Sequence, residues 1–300
     1  MQLVTYSWRG RAALGALAHG CVVDLHRACR ADPGVPDDLL GLLSGGDESM
    51  AAAKRALRLA EERRGAGEAL GLCHPVADVE FHAPVQRPGK IICVRLNYRS
   101  HLAEIGEPVP EYPILFLKPA TSVIGHGQRI VLPRVSQQVD YEGELAVVIG
   151  RPGKYIPPER ALAHVAGYTC ANDVSARDIE FRTSQWASGK MLDSFCPLGP
   201  VLVTRDELPN PGWLRLKTLL NGRSVQDATT ADMVFPVDFL ISYISSLAAL
   251  EPGDVILTGT PAGIGCNRKP QVFLKASDYV SVEIDGIGTL ANPVVAEERR

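Results

Sequence analysis

Everything in this sequence has to accommodate one run. Leu145-Ala146-Val147-Val148-Ile149 is five consecutive apolar residues of strand-forming type, which reads as a strand buried on both faces. Immediately before it stand Glu142, Gly143 and Glu144. Side chains alternate along a strand, so the two glutamates point to one side, and Gly143 between them leaves the backbone approachable. Two carboxylates beside a buried strand cost several kcal/mol unless a positive charge sits between them, and a divalent cation can supply it. A third acid should then exist elsewhere. Asp173 qualifies, in a strand-like stretch that begins at Val165. Three carboxylates with no paired His or Cys nearby point to a hard ion, Mg²⁺ or Mn²⁺, rather than zinc.

The bulk numbers exclude more than they identify. At 300 residues, 46 % hydrophobic and 22 % charged, the chain can bury a sizeable core. A net charge of −3 gives no basic footprint, so neither nucleic acid nor a membrane is expected as a partner, and small molecules are. The 7 cysteines are scattered without a C-x-x-C pair, which suggests neither a disulfide framework nor a zinc site and fits a reducing cytoplasm. No apolar core of secretory type occurs in the first 20 residues, and no run approaches the ~20 apolar residues of a membrane span.

Along the chain, residues 1–75 read as a small α+β domain. Short strands joined by Gly turns come first, then a helix over 47–64 that Asp47 can cap, that Gly65 to Gly67 end, and whose Lys and Arg face water. A proline-rich linker, 76–88, leads to a main domain, 89–300, of strand character. Lys90–Val94, Ile114–Pro119 and Val280–Ile284 read as strands, Val255–Pro261 as a buried strand that runs into a polar turn, and Asn221-Gly222 and Asp285-Gly286 as hairpin turns. A helix is expected over Pro236–Leu250. The class is α+β, mainly β, with a rolled or barrel-like sheet and few helices.

Chemistry-bearing residues gather in three further places. On the short helical excursion Leu96–Gly106, His101 and Glu104 are spaced i, i+3 and can pair, which would make His101 a general base held in one tautomer on a mobile lid. Lys190 stands in a turn-rich, aromatic-flanked segment, where it could hold a carboxylate or an oxyanion. Thr260 follows a buried strand in Thr258-Gly259-Thr260-Pro261, a good place for a ligand carboxylate to meet hydroxyl and N–H donors.

Six ordered motifs, N-Y-x-x-H-x-x-E, F-L-K-P, D-Y-E-G-E-L-A-V-V-I-G, G-Y-x-x-x-N-D-V-S-A-R-D, G-K-x-x-D-x-F-C-P-L-G-P and T-G-T-P-x-G, span about Lys90 to Pro293. Together they resemble the fumarylacetoacetate hydrolase family. That resemblance implies the family's β-roll, a metal on Glu142, Glu144 and Asp173, a lid dyad of His101 with Glu104, an active-site Lys190, and homodimers or dimer-based oligomers. Arg95, Tyr141, Glu180 and Thr260 become candidate substrate contacts. Two positions depart from the pattern: Arg95 stands where many relatives have Gly, and Glu180 where many have Gln. Arg95 could read a second substrate carboxylate, whereas Glu180 would add negative charge to the pocket. His126 is a loop histidine, more simply read as having no catalytic role.

The activity expected first is metal-dependent hydrolysis of a C–C bond in an acylpyruvate or related β-diketo acid, fumarylpyruvate-like, through an enolate at the metal. In it His101 would activate water. Decarboxylation or isomerisation of a 2-oxo dicarboxylic acid, of the oxaloacetate or 2-hydroxyhepta-2,4-diene-1,7-dioate type, uses the same parts and is the alternative. A metal-binding assembly protein is the reading without catalysis; it would have no use for His101, Glu104 and Lys190 together.

Overall fold

Gly143–Ile149 forms the expected strand, and all seven of its residues are buried. The computed structural model describes residues 1–28, 34–65 and 71–298. The strand lies between Val165–Asn172 and Val255–Leu257, antiparallel to both. Alternation sends Leu145, Val147 and Ile149 into a core with Val282, Ile284 and Leu290 of a second sheet and with Leu240, Ile241 and Ile244 of the helix Val237–Leu247. Ala146 and Val148 enter a separate core with Leu39, Leu42, Ala53 and Ala56 of the N-terminal helices Leu39–Ser44 and Gly46–Gly65. Each buried Val, Leu or Ile side chain among these contributes ~1.5–3 kcal/mol. A one-residue slip would exchange the two faces and carry the acids to the wrong side.

The main sheet has 12 strands. Its path runs from Cys73–Pro75 through Cys21–Asp24, Arg11–Ala18, Gln2–Trp8, Cys196–Thr204, Val165–Asn172, Gly143–Ile149, Val255–Leu257 and Ile91–Arg95 to Ile114–Lys118. Both ends of that path are open, so the barrel-like closure expected from the strand content does not occur among the described residues. The second, 5-stranded sheet and the helices cover the apolar faces instead. Hydrogen bonding crosses the boundary drawn between residues 1–75 and 89–300, because Gln2–Trp8 pairs with Cys196–Thr204 through Gln2↔Val203 and Leu3↔Leu202.

Two helices differ in detail from expectation. The helix over 47–64 begins at Gly46 and lays Ala52, Ala53, Ala56 and Ala60 against the core, a stripe of small side chains that allows close approach. Its Lys54 is not simply solvated but reaches Asp206 at 2.7 Å. Gly67, expected among its terminating glycines, lies outside the described residues. The helix expected over Pro236–Leu250 stops at Leu247. Leu250 instead exchanges backbone hydrogen bonds with Gly153, at 2.8 and 3.0 Å, and these replace helical ones. Both hairpins form. Asn221 and Gly222 have φ of 52° and 77°, as a two-residue turn demands. The Asp285-Gly286 turn takes in Ile287 as a third residue.

Gly143 is explained by packing between the sheets. A Cβ at this position would overlap Thr218 Oγ1 of the strand Arg215–Leu220. Gly143→Ala is therefore expected to destabilise the protein by about 1–3 kcal/mol, the range for overpacking. In chemical unfolding, adding Thr218→Ala should recover part of the loss, and a strictly additive pair would contradict this account.

Candidate metal centre and active site

Strand pairing builds the acid cluster. Gly143 lies opposite Asn172 in the register, so the ends of two neighbouring strands bring Glu142 and Asp173 together. The junction is tied by Asp173 N–H donating to Glu142 O at 2.8 Å and Glu142 N–H donating to Asn172 Oδ1 at 3.0 Å. Glu142, Glu144 and Asp173 are all buried, and each offers an oxygen within 4.8 Å of those of the other two.

Three buried cations surround the cluster. Lys190, from the short helix Ala187–Lys190, donates to Glu142 Oε2 at 2.9 Å and Asp173 Oδ2 at 3.0 Å. Lys118, at the end of Ile114–Lys118, donates to Asp173 Oδ1 at 2.5 Å. Arg177 forks onto Asp140 at 2.6 Å, Glu142 at 2.5 Å and Glu180 at 2.9 Å. In the sequence Lys118 and Arg177 stand out only as members of the motifs F-L-K-P and S-A-R-D, with no local feature that marks their role. A buried acid cluster demands counter-charge, and that demand was the signal that could have found them.

The resulting electrostatics are uneven. Burial raises the Glu142 pKa, but Lys190 and Arg177 outweigh it and hold the carboxyl far below the usual range. Glu144 goes the other way: burial, then the charges of Asp173 and Glu142, push it well above its ordinary value, against one N–H donor, Gly259 at 2.7 Å. Burial would lower the Lys190 pKa, yet Asp173, Glu142 and Glu180 raise it, so the group stays an ammonium. Five buried carboxylates, Asp140, Glu142, Glu144, Asp173 and Glu180, thus face three buried cations. If all are ionised, two negative charges remain, the deficit that one divalent ion cancels. The all-oxygen donor set suits Mg²⁺ or Mn²⁺.

The remaining candidates fall into three groups. Arg95, His101, Glu142, Glu180, Lys190 and Thr260 line one cavity of about 210 Å³. Within it, Glu180 adds less negative charge than its sequence suggested, because Arg177 takes up its carboxylate. The Thr260 hydroxyl is already committed, donating to Gly143 O at 2.9 Å and accepting from Gln226 Nε2 at 2.8 Å.

Glu104 stands behind His101. The helix Arg99–Ile105 ends at Gly106 with φ of 73° and sets His101 Nδ1 3.1 Å from Glu104 Oε2. Gly263 N–H and Asn267 Nδ2 donate to the same carboxylate at 2.9 and 3.0 Å. Burial would raise the Glu104 pKa, but these hydrogen bonds prevail and lower it. An ionised Glu104 accepts from Nδ1–H, which leaves Nε2 as the basic nitrogen.

Tyr141 does not line the cavity. Its ring packs with Val139, Val174 and Phe195, and its hydroxyl donates to Gly263 O at 3.3 Å and accepts from Arg268 at 3.2 Å. It therefore braces the loop that grips Glu104. His126 lies in a separate surface cleft, where Nδ1 accepts from Ala291 N–H at 3.1 Å.

The model of the fumarylacetoacetate (FAA) hydrolase C-terminal family matches residues 90–295. The chain belongs to the fumarylacetoacetate hydrolase family. Its fold, mixed α/β with more strand than helix, is shared by solved members of that family. Human oxaloacetate tautomerase FAHD2A, mitochondrial, is 47 % identical over 266 residues, covering 88 % of this chain and 82 % of the relative. The crystal structure of 5-carboxymethyl-2-hydroxymuconate delta-isomerase from Mycobacterium smegmatis aligns with a TM-score of 0.76 at 34 % identity, covering 100 % of both chains. Maleylpyruvate hydrolase from Sphingobium sp. SYK-6, in complex with manganese(II) and pyruvate, aligns at 0.74 and 31 % identity, covering 99 % of this chain and 100 % of that one. The family is one of enzymes, and its members include tautomerases and isomerases as well as hydrolases. Among the described residues, no helix is long and apolar enough to cross a membrane.

Proposed function

We propose that this fumarylacetoacetate hydrolase family member is a Mg²⁺- or Mn²⁺-dependent isomerase that moves a proton within a small 2-oxo dicarboxylic acid, between the carbon beside the keto group and the keto oxygen. The observation that carries this reading is the identity of 47 % with an oxaloacetate tautomerase over 88 % of the chain, against 31 % with a maleylpyruvate hydrolase. The alternative weighed in the sequence thus stands ahead of C–C bond hydrolysis. The aligned neighbour holding manganese and pyruvate supports the metal and the 2-oxo acid in either case. The homodimer or dimer-based oligomer implied by the family resemblance is part of the same proposal.

His101, with Nδ1–H committed to Glu104, takes a proton at Nε2 from the carbon adjacent to the keto group. Electrons from the broken C–H bond pass to the keto oxygen, where Lys190, kept protonated by its acidic neighbours, supplies a hydrogen bond. Glu142, Glu144 and Asp173 would hold the dication, which would supply Lewis-acid stabilisation of negative charge developing on the substrate. The helix Arg99–Ile105 and the loop at Gly263–Asn267, joined through Glu104, line the same cavity. Nε2 of His101 then returns the proton to the oxygen, so the imidazole is regenerated, no redox change occurs, and the proton lost from carbon is the one gained on oxygen.

The test is to follow the enol of oxaloacetate spectroscopically with Mg²⁺ or Mn²⁺, with and without chelator, while assaying pyruvate. Accelerated enol loss without pyruvate, abolished by chelator, is the expected result. Pyruvate release from an acylpyruvate with no effect on the enol would replace the isomerase reading with hydrolysis. His101→Ala should lower kcat by about 10²- to 10⁴-fold and leave metal affinity intact by calorimetry. Unchanged turnover would remove the dyad from the mechanism.

A further inference from the structure

We infer that Arg95, laid on Trp186, is the receptor for the second carboxylate of the substrate, so that the cavity selects 2-oxo acids with a charged distal end over those with a neutral one. For the reacting end of the substrate this rests on the proton-transfer reading above.

The assignment follows from which cations remain free. Lys118, Arg177 and Lys190 each hold buried carboxylates at hydrogen-bond distance. Arg95 lines the same cavity, yet its guanidinium makes no ion pair or hydrogen bond with another described residue. Its partner is the face of Trp186, with Cζ 4.4 Å from the ring centroid. A ring supports a guanidinium from one face and leaves the in-plane N–H donors free, in the forked arrangement that fits a carboxylate. Once a dication cancels the two surplus negative charges of the acid cluster, Arg95 is the uncompensated charge of the cavity. A dianionic substrate meets it with its second carboxylate.

Both halves of the receptor are mounted on the framework of the metal centre. Arg95 ends the strand Ile91–Arg95. Two residues later, Asn97 Nδ2 donates to Thr258 O at 2.8 Å and Phe235 O at 3.0 Å. Gly259, at φ of 95°, sits so close that a Cβ would lie 2.9 Å from Val94 O, and its own N–H holds Glu144. Trp186 leads directly into Ala187–Lys190, so one short helix places both the ring and the Lys190 ammonium.

The experiment titrates 2-oxoglutarate and 2-oxopentanoate, which share a five-carbon chain and differ at the distal group, into Mg²⁺-loaded protein in a calorimeter. The wild type is expected to prefer the diacid. Arg95→Met should shrink the ratio of the two dissociation constants by ~10- to 100-fold. Arg95→Lys should restore part of it, since an ammonium cannot fork, and Trp186→Leu should reduce it by less than Arg95→Met. A retained thermal shift with Mg²⁺ confirms a folded site in each variant. A wild type without preference, or an Arg95→Met ratio equal to that of the wild type, overturns the assignment. If diacid binding depends on Arg95 but no diacid enol is turned over, the isomerase reading fails and the receptor stands.

Discussion

Arg177→Ala is expected to lower the unfolding free energy of the metal-free protein by about 3–5 kcal/mol, the cost of leaving buried charges unpaired. The magnitude follows from what the guanidinium does. It is buried, and its three nitrogens hold Asp140 and Glu142, two residues apart, and Glu180, on its own short helix. Burial would depress its own pKa, but those three carboxylates raise it well above the ordinary value, so it stays charged. Removing it leaves Glu180 without its ion pair, Asp140 with only the Cys266 N–H and Glu142 with only Lys190, all with little access to water.

The deficit should depend on pH in a definite direction. Stranded acids acquire folded-state pKa values above their unfolded values of about 4. The stability they permit is present below that pH and lost as pH rises through the folded values, so Arg177→Ala should come closest to the wild type under acid conditions. Asp140 shows the tendency even with Arg177 present, since burial lifts it to about 6. Urea unfolding in chelator at a series of pH values measures the effect. A variant within 1 kcal/mol of the wild type at neutral pH, an order-of-magnitude threshold well below the range above, would show that Arg177 is not the clamp described.

Glu144→Gln should separate stability from function. In the metal-free protein Glu144 is pushed well above its usual pKa by burial and by Asp173 and Glu142, and accepts from Gly259 N–H. Glutamine keeps an acceptor for that N–H and cannot ionise. Because the folded pKa of Glu144 is raised, the stability linked to it is present below about pH 4.3 and lost as pH rises. Metal-free Glu144→Gln is therefore expected to be at least as stable as the wild type, with a margin that grows with pH. The same change removes a charged ligand. The rise in melting temperature with Mg²⁺ or Mn²⁺ should largely disappear, and turnover should fall on the order of 10²- to 10³-fold, the cost of losing a central electrostatic group. Calorimetric scans with and without metal, together with the enol assay, read both effects. A variant that is less stable without metal yet still shifts with it would place the cation elsewhere.

Some of this site was legible as local pattern. Glu142 and Glu144 share a side because a strand has period 2, and His101 meets Glu104 because a helix brings i and i+3 together. The apolar run announced a strand with two buried faces, and two cores cover it. Tyr141 illustrates the limit. One position before Glu142, it was a candidate substrate contact, but alternation points it to the side where Val174 and Phe195 pack, and it braces the Gly263 loop instead. Glu180 illustrates another, since its effect on the pocket depends on Arg177, a partner that sequence reading had left without a role.

By itself the sequence determined the local units: which stretches pair as strands, which acids share a face, and which histidine has a carboxylate one helical turn away. These depend on dihedral periodicity and on neighbours a few residues apart. Tertiary structure alone decided that Lys118, Arg177 and Lys190 neutralise the acids, that Gly259 holds Glu144, that Arg95 rests on Trp186, and that residues 2–8 extend the sheet carrying the site. Apart from Arg177 with Glu180, three residues along one helix, each of these joins segments from 17 to about 200 residues apart. Such contacts arise from strand order and burial of the whole chain, and a charge acquires its partner only when both have been drawn out of water into the same place.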